Sequence, residues 1–246
     1  HDLGRFATKV SEDGPVRKFE QAVEAVVSGD VGTLRSMLRD DPELIRARSE
    51  RRHRATLLHY IAANGVEGVR QKTPSNAVEV ARLLLDAGAD PDAVAVMYDN
   101  LCTTMSMLVS SAHPAHAGVQ AELAELLLDY GAGHVGPGSE WKSDLKTALA
   151  FGYTATAERL ARRGAPVDDL PTAAGLGRLE DAVRFLPTAD SQSRHEALAL
   201  ASQHGHAEIV GALLDAGEDP NRYNPTGFHD HSTPLHQAIA SDRPRV

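Results

Sequence analysis

Apolar residues recur along this chain at helical spacing, in short stretches that end in glycine. In "VEVARLLLDAGADPD", "ELAELLLDYGAG" and "AEIVGALLDAG" the leucines and valines fall three or four positions apart, and a glycine follows them. This spacing gives a helix one apolar face, and a closing glycine adopts the left-handed backbone that other residues avoid. The pattern predicts a series of short amphipathic helices, each ended by glycine.

The glycines that end these helices recur at fixed intervals. Gly205 and Gly217 lie 12 residues apart, as do Gly152 and Gly164, and Gly131 precedes Gly164 by 33 residues. A period in this range indicates stacked units, each too small to bury its own apolar face.

A motif at the start of the last unit indicates the kind of repeat. Residues 233–238 read T-P-L-H-Q-A, and residues 56–62, "TLLHYIA", are a near match in which Leu57 replaces proline. The first of these matches the ankyrin motif T-P-L-H-x-A at every specified position. The chain therefore resembles the ankyrin-repeat family over residues 17–246. The resemblance implies an all-α solenoid of stacked helix pairs with short hairpin fingers, in about seven units of which the last is incomplete.

The repeat also suggests domain boundaries. Residues 1–16 are an N-terminal extension, 17–48 an N-terminal cap unit, and 232–246 a truncated last unit with one helix. We expect the natural protein to continue past this end or another chain to cover it, and otherwise a monomer. The fifth unit is degenerate, with a shortened first helix and no closing glycine. The units after the cap start near Thr56, Thr103, Ser143, Asp168, Glu196 and Thr233.

Composition narrows the possible partners. Hydrophobic residues make up 42% of the chain and aromatic residues 4%, so the core is built from leucine, alanine and valine. The net charge of −9 disfavours a nucleic-acid partner, because phosphate binding needs a basic surface. No stretch is apolar enough for a membrane span. A single cysteine, Cys102, fits a reducing compartment, and we expect a buried thiol in a cytoplasmic protein.

No catalytic motif stands in the sequence, and we predict neither enzyme activity nor a cofactor. "HEALA" at residues 195–199 has alanine where a zinc protease needs its second histidine. The alternative is a small-ligand or metal-dependent site, which could be enzymatic, on the last finger. There His229 and His231 alternate along a stretch that we expect to be extended, so their rings would share one face. His204 is a conceivable third ligand.

The resemblance to ankyrin repeats implies roles for further residues. It pairs Thr56 with His59, and Thr233 with His236, in hydrogen bonds that tie neighbouring units together. It also places the partner on the finger tips and on the exposed side of each first helix. The candidate contacts are Arg51, Arg52, Tyr98, Asp99, Trp141, Phe151, His204, His229 and His231, with Met97 and Asn100 beside Tyr98 on its finger, and Asn64, Ser110, Ser111 and Gln203 at further groove positions.

Each of these candidates also has a purely structural interpretation. The arginines of "RARSERRHRA" form either a solvated finger or a positive lip of the groove. Phe151 is either a contact or part of the core, and Trp141 either a contact or a staple of its own hairpin. Two insertions, residues 65–76 and 112–119, are expected to pack together as one lobe away from the fingers, which is a second candidate surface. The sequence thus predicts non-catalytic binding of a protein or peptide.

Overall fold

The computed structural model describes residues 14–134, 136 and 142–241. Helices dominate these residues, and a single two-stranded sheet joins them. The α-helices span Gly14–Ser28 (α1), Val31–Asp40 (α2), Ala77–Asp86 (α3), Thr104–Leu108 (α4), Ala112–His116 (α5), Gln120–Asp129 (α6), Asp144–Ala150 (α7), Thr154–Arg162 (α8), Leu170–Gly175 (α9), Leu179–Phe185 (α10), Ser191–His204 (α11), Ala207–Asp215 (α12) and Pro234–Ala240 (α13). The strands span Val94–Met97 (β1) and Asn100–Thr103 (β2), and 3-10 helices span Pro42–Arg46, Leu57–Ala62, Gly68–Arg70 and Leu186–Thr188.

The described helices form six stacked pairs and one last single helix, so the predicted all-α solenoid is confirmed. These seven units are α1 with α2, the 3-10 helix 57–62 with α3, α4 with α6, α7 with α8, α9 with α10, α11 with α12, and α13 alone. We refer to them below as units one to seven.

Polar side chains start the first helices. The side chain of Thr103 accepts the Ser106 backbone N–H, and Ser143, Asp169 and Thr233 cap α7, α9 and α13 in the same way. Such a cap is worth about 1 kcal/mol. Unit six departs from the prediction. Its first helix starts at Ser191 rather than near Glu196, because Asp190 accepts the N–H of Ser193 at 2.7 Å and begins the helix earlier.

The second helices form the core with rows of leucine. Leu84, Leu123, Leu160 and Leu213 are all at most 1% exposed. Each buried leucine contributes about 1.5–3 kcal/mol relative to an exposed one. No unit of this size could bury such a face alone, so the units stabilise one another by stacking.

The shortened first helix of unit five changes the stacking. Its residues are small, and a Cβ on Gly175 would lie 2.9 Å from Leu149 in α7. Side chains of α7 and α11 therefore meet across unit five: Lys146 Nζ lies 2.6 Å from Glu196 Oε2. Unit four is thus linked directly to unit six.

Only one finger among the described residues is a β-hairpin. The finger ahead of unit three pairs β1 with β2 in antiparallel register, with Val94 opposite Thr103 and Met97 opposite Asn100. It also joins the preceding finger, since the N–H of Val96 donates to the carbonyl of His53 at 2.7 Å.

The finger ahead of unit seven, residues 221–232, is a series of turns instead. The N–H of Asn224 donates to the carbonyl of Ser232 at 2.8 Å, and Phe228 is buried inside the finger. The prediction of an extended stretch there was wrong. The backbone turns because Gly227 and His229 both have positive φ, at 88° and 58°.

The two insertions have different surroundings. Arg70 of the first insertion forms ion pairs with Glu20 and Glu24 of α1, and Asn76 Nδ2 donates to the carbonyl of Gly29 at 2.9 Å. Segment 65–76 therefore packs against unit one, and segment 112–119 contributes α5 next to α6, so the joint lobe of the two insertions stays a prediction. None of the described helices is long and apolar enough to cross a membrane.

Candidate binding groove

A groove runs between the fingers and the first helices of units two to four. It widens into a pocket of about 660 Å³, which we call the central pocket. Its lining comes from the end of the first helix of unit two, from the β-hairpin, and from α4 and α7. The lining residues are Asn64, Met97, Tyr98, Asn100, Cys102, Ser106, Met107, Ser110, Thr147 and Phe151.

The hairpin tip holds Tyr98 in an unfavourable backbone conformation. Tyr98 and Asp99 form the two-residue loop between Met97 and Asn100, and both have positive φ, at 51° and 62°. A type I′ turn requires this at both positions, and glycine or asparagine usually supplies it. The left-handed region costs other residues roughly 1–2 kcal/mol. The rest of the hairpin therefore imposes this conformation, and Tyr98 remains 67% exposed.

A hydrogen bond spans the groove from the tip. The hydroxyl of Tyr98 donates to Oδ1 of Asn64 at 2.6 Å. Asn64 Nδ2 in turn donates to the carbonyl of Met107 and to Oγ of Ser110, both at 3.1 Å. These bonds tie the tip to units two and three and bound the central pocket on one side.

Phe151 forms the opposite wall of the central pocket. It follows the last residue of α7, is 45% exposed, and stacks on Tyr153 with ring centroids 6.2 Å apart. The structure thus brings Tyr98 and Phe151, which lie 53 positions apart in the sequence, to one pocket.

In the arginine-rich finger, residues 46–55, the two candidate contacts form ion pairs with neighbouring side chains. Arg51 forms ion pairs with Glu20 and Glu67, and Arg52 Nη2 lies 2.7 Å from Asp99 Oδ1. Acidic side chains from three different segments thus offset the charge of these two residues, and their role as a positive lip stays a prediction.

In both Thr–His pairs the hydroxyl lies within hydrogen-bonding distance of the ring, and His59 also reaches the next unit. Thr56 Oγ1 lies 2.8 Å from His59 Nδ1, and the backbone N–H of Thr56 also donates to that nitrogen. Nε2 of His59 is 3.3 Å from the carbonyl of Cys102 in the next unit. Burial lowers the pKa of His59 to about 4, so its ring is neutral at pH 7. Thr233 Oγ1 and His236 Nδ1 are 3.1 Å apart.

His204 is buried, contrary to its predicted place in the groove. Thr154 Oγ1 lies 2.9 Å from Nδ1, and Nε2 lies 2.9 Å from the carbonyl of Leu149. Gln203 reaches the carbonyl of Ala150 in the same way. Both side chains therefore bond to unit four, and the small residues of unit five permit this contact between units four and six.

His229 and His231 lie together on the last finger, with ring centroids 6.1 Å apart and planes at 79°. The two rings meet edge to face, and the backbone turns at His229 instead of running extended. The described part of the chain contains no group of three histidine, cysteine or acidic residues placed to hold a metal ion. Trp141, the remaining predicted contact, lies outside the described residues.

Sequence reasoning missed four lining residues of the central pocket: Cys102, Ser106, Met107 and Thr147. A signal for two of them was present. Met107 and Thr147 each stand four positions after the capping residue of their first helix, Thr103 and Ser143. A register counted from the caps would have placed both on the groove side.

Comparison with known proteins agrees with this architecture. The family model of the ankyrin repeat matches residues 53–96 and 195–225. The ankyrin repeat domain of human ASB11 superposes with a TM-score of 0.50 at 19% sequence identity, over 88% of this chain and 90% of that one. No curated protein matches the sequence. The structural similarity concerns the fold alone.

Proposed function

We propose that this chain, an array of ankyrin repeats, is a non-catalytic module that binds a segment of a partner protein in the central pocket. The ankyrin-repeat fold generally serves protein interaction. The observation that carries the proposal is the exposure of Tyr98 and Phe151 in one pocket. Tyrosine and tryptophan dominate binding energy where a partner can exclude water from them, and a nearby phenylalanine adds apolar area.

The scarcity of aromatic residues strengthens this interpretation. They make up 4% of the chain, and most of the stacking core consists of leucine, alanine and valine. Two exposed rings on one pocket leave apolar surface in water that a partner would cover. Tyr98 also keeps its place at the expense of backbone strain, and such strain is typical of ligand-binding positions.

The proposal includes the class of partner and the cellular compartment. The net charge of −9 favours a protein over a nucleic acid as the partner. The single cysteine, Cys102, is buried and free, as expected of a protein of the cytoplasm.

Affinity capture from native extract tests the proposal. The full chain is compared with Tyr98→Ala/Phe151→Ala, and with Val183→Ala/Tyr223→Ala as a control that removes two exposed side chains outside the central pocket. We expect one protein at near-stoichiometric amount on the wild type and the control, and its loss from the first variant. Equal retention by all three chains would place the binding site elsewhere.

A further inference from the structure

The described lining of the central pocket is uncharged, although the protein is rich in charge. Lysine, arginine, aspartate and glutamate supply 59 of the 246 residues. Among the described residues that line the pocket, none has a charged side chain. Asp99 at the hairpin tip forms an ion pair with Arg52 of the preceding finger.

The polar lining has its donors already engaged. Ser106 Oγ donates to the carbonyl of Thr103 at 3.0 Å, and Thr147 Oγ1 donates to that of Ser143 at 2.8 Å. Ser110 Oγ donates to the carbonyl of Met107 at 3.3 Å. A hydroxyl oxygen that donates one bond still accepts others, so these groups favour N–H and O–H donors over anions.

The remaining lining is apolar and adaptable. Met97 and Met107 contribute unbranched, polarisable side chains, and Tyr98 and Phe151 contribute ring faces. The volume of about 660 Å³ lies within the range of roughly 300–1,000 Å³ that is usual for ligand pockets. A group entering here would lose water without meeting a counter-charge, which is costly for an ion and favourable for a hydrocarbon.

We infer that the central pocket selects an uncharged peptide segment, anchored by an aliphatic or aromatic side chain between Tyr98 and Phe151, and that it rejects acidic, phosphorylated and basic anchors. This inference rests on the proposed function and specifies its partner. A backbone N–H group of the segment bonds to the hydroxyl oxygen of Ser110, the one of these three hydroxyl residues that is not buried.

Selection from a phage-displayed library of short random peptides tests the inference on the full chain. The affinity of the enriched peptides is then measured by isothermal titration calorimetry. We expect one shared position that holds an uncharged apolar residue. Its replacement by aspartate or lysine in the peptide weakens binding by about tenfold or more, because the ion finds no partner in the pocket. Between about 50 and 500 mM salt the affinity changes less than about twofold, since screening acts only on charges.

Two protein variants locate the binding. Phe151→Lys places a charge on the wall of the central pocket, and Leu101→Lys makes the same change at an exposed apolar residue of β2 outside it. Binding falls about tenfold or more in the first and stays within about twofold in the second. Circular dichroism confirms that each variant is folded.

The outcomes separate the two proposals. Peptides that share a charged anchor and lose affinity steeply with salt, yet fail on Phe151→Lys, overturn the neutral pocket and leave the proposed binding function intact. Peptides that bind Phe151→Lys as well as the wild type overturn the central pocket as the site. A library without any enriched peptide contradicts both proposals.

Discussion

Arg52 and Asp99 form an ion pair between the tips of two neighbouring fingers, with Nη2 2.7 Å from Oδ1. Both side chains remain at least 80% exposed, so water and salt screen the pair and it contributes little to stability. Asp99 is at the same time one of two non-glycine residues with positive φ in the turn. At Asp99 the ion pair therefore stabilises the fold slightly, while the left-handed backbone destabilises it, and the larger of the two energies decides the effect of a substitution.

We predict that Asp99→Gly raises the free energy of unfolding by about 0.5–1 kcal/mol, because relief of the left-handed backbone outweighs the loss of a surface ion pair. Urea denaturation followed by circular dichroism measures the change. Asp99→Ala serves as the control: it loses the same pair without gaining glycine's freedom, and should destabilise. Destabilisation by both changes would show that the ion pair matters more.

Arg70 should be far more important for stability than Arg52. Its side chain is 11% exposed and contacts the carboxylates of Glu20, Glu24 and Glu67, which join unit one to the first insertion. We expect Arg70→Ala to cost about 1–2 kcal/mol, since the partly buried carboxylates of Glu20 and Glu67 then keep only Arg51 as a cationic partner, and Arg52→Ala to cost under about 0.5 kcal/mol. Equal melting temperatures for the two variants would contradict this.

The buried pair of Lys146 and Glu196 should show strong coupling. Each side chain is 11% exposed, and their charged atoms are 2.6 Å apart. Lys146→Met leaves the glutamate buried without its partner, and we expect a loss of about 3–5 kcal/mol. The double variant Lys146→Met/Glu196→Leu should recover most of it, as neither charge is then buried. A double-mutant cycle from urea denaturation measures the coupling, and strictly additive losses would argue against it.

Stability should fall on acidification because of His59. Burial lowers the pKa of His59 to about 4, whereas the unfolded chain has the ordinary value near 6.5. Between these values the unfolded state binds the proton and the folded state does not, so the stabilisation is complete above pH 6.5 and declines down to about pH 4. This difference in pKa between the folded and unfolded states corresponds to a loss of about 3 kcal/mol in the free energy of unfolding.

Free energies of unfolding measured from pH 7 to pH 4 check this, with His59→Gln as the comparison. The slope should be shallower in that variant. Burial also lowers the pKa of His53, which leaves a smaller slope of the same sign. An identical pH profile in wild type and variant would exclude His59 as the cause.

Much of the fold followed from the sequence. The glycine intervals and the T-P-L-H motif led to stacked helix pairs, and the capping residues Thr103, Ser143 and Thr233 marked helix starts correctly. Unit six was the exception, because Asp190 caps a helix that begins before the apolar pattern does. These features depend on residues within a turn or two of one another.

The candidate site was predictable only in part. Tyr98 and Phe151 were candidates because aromatic residues are scarce in this chain, and the structure places both in the central pocket. Arg51 and His204 were also candidates, and both have partners inside the chain that no local pattern signals. His204 reaches Leu149, 55 positions away, only because unit five has small residues between α7 and α11.

The sequence by itself determined the repeat, the helices and their ends, since spacing, caps and glycines act over a few residues. The tertiary structure alone decided which polar side chains remain available to a partner. The bond from Tyr98 to Asn64 spans 34 positions, and that from Arg52 to Asp99 spans 47. Contacts at such separations depend on how closely successive units stack, and the volumes of all the intervening side chains set that distance.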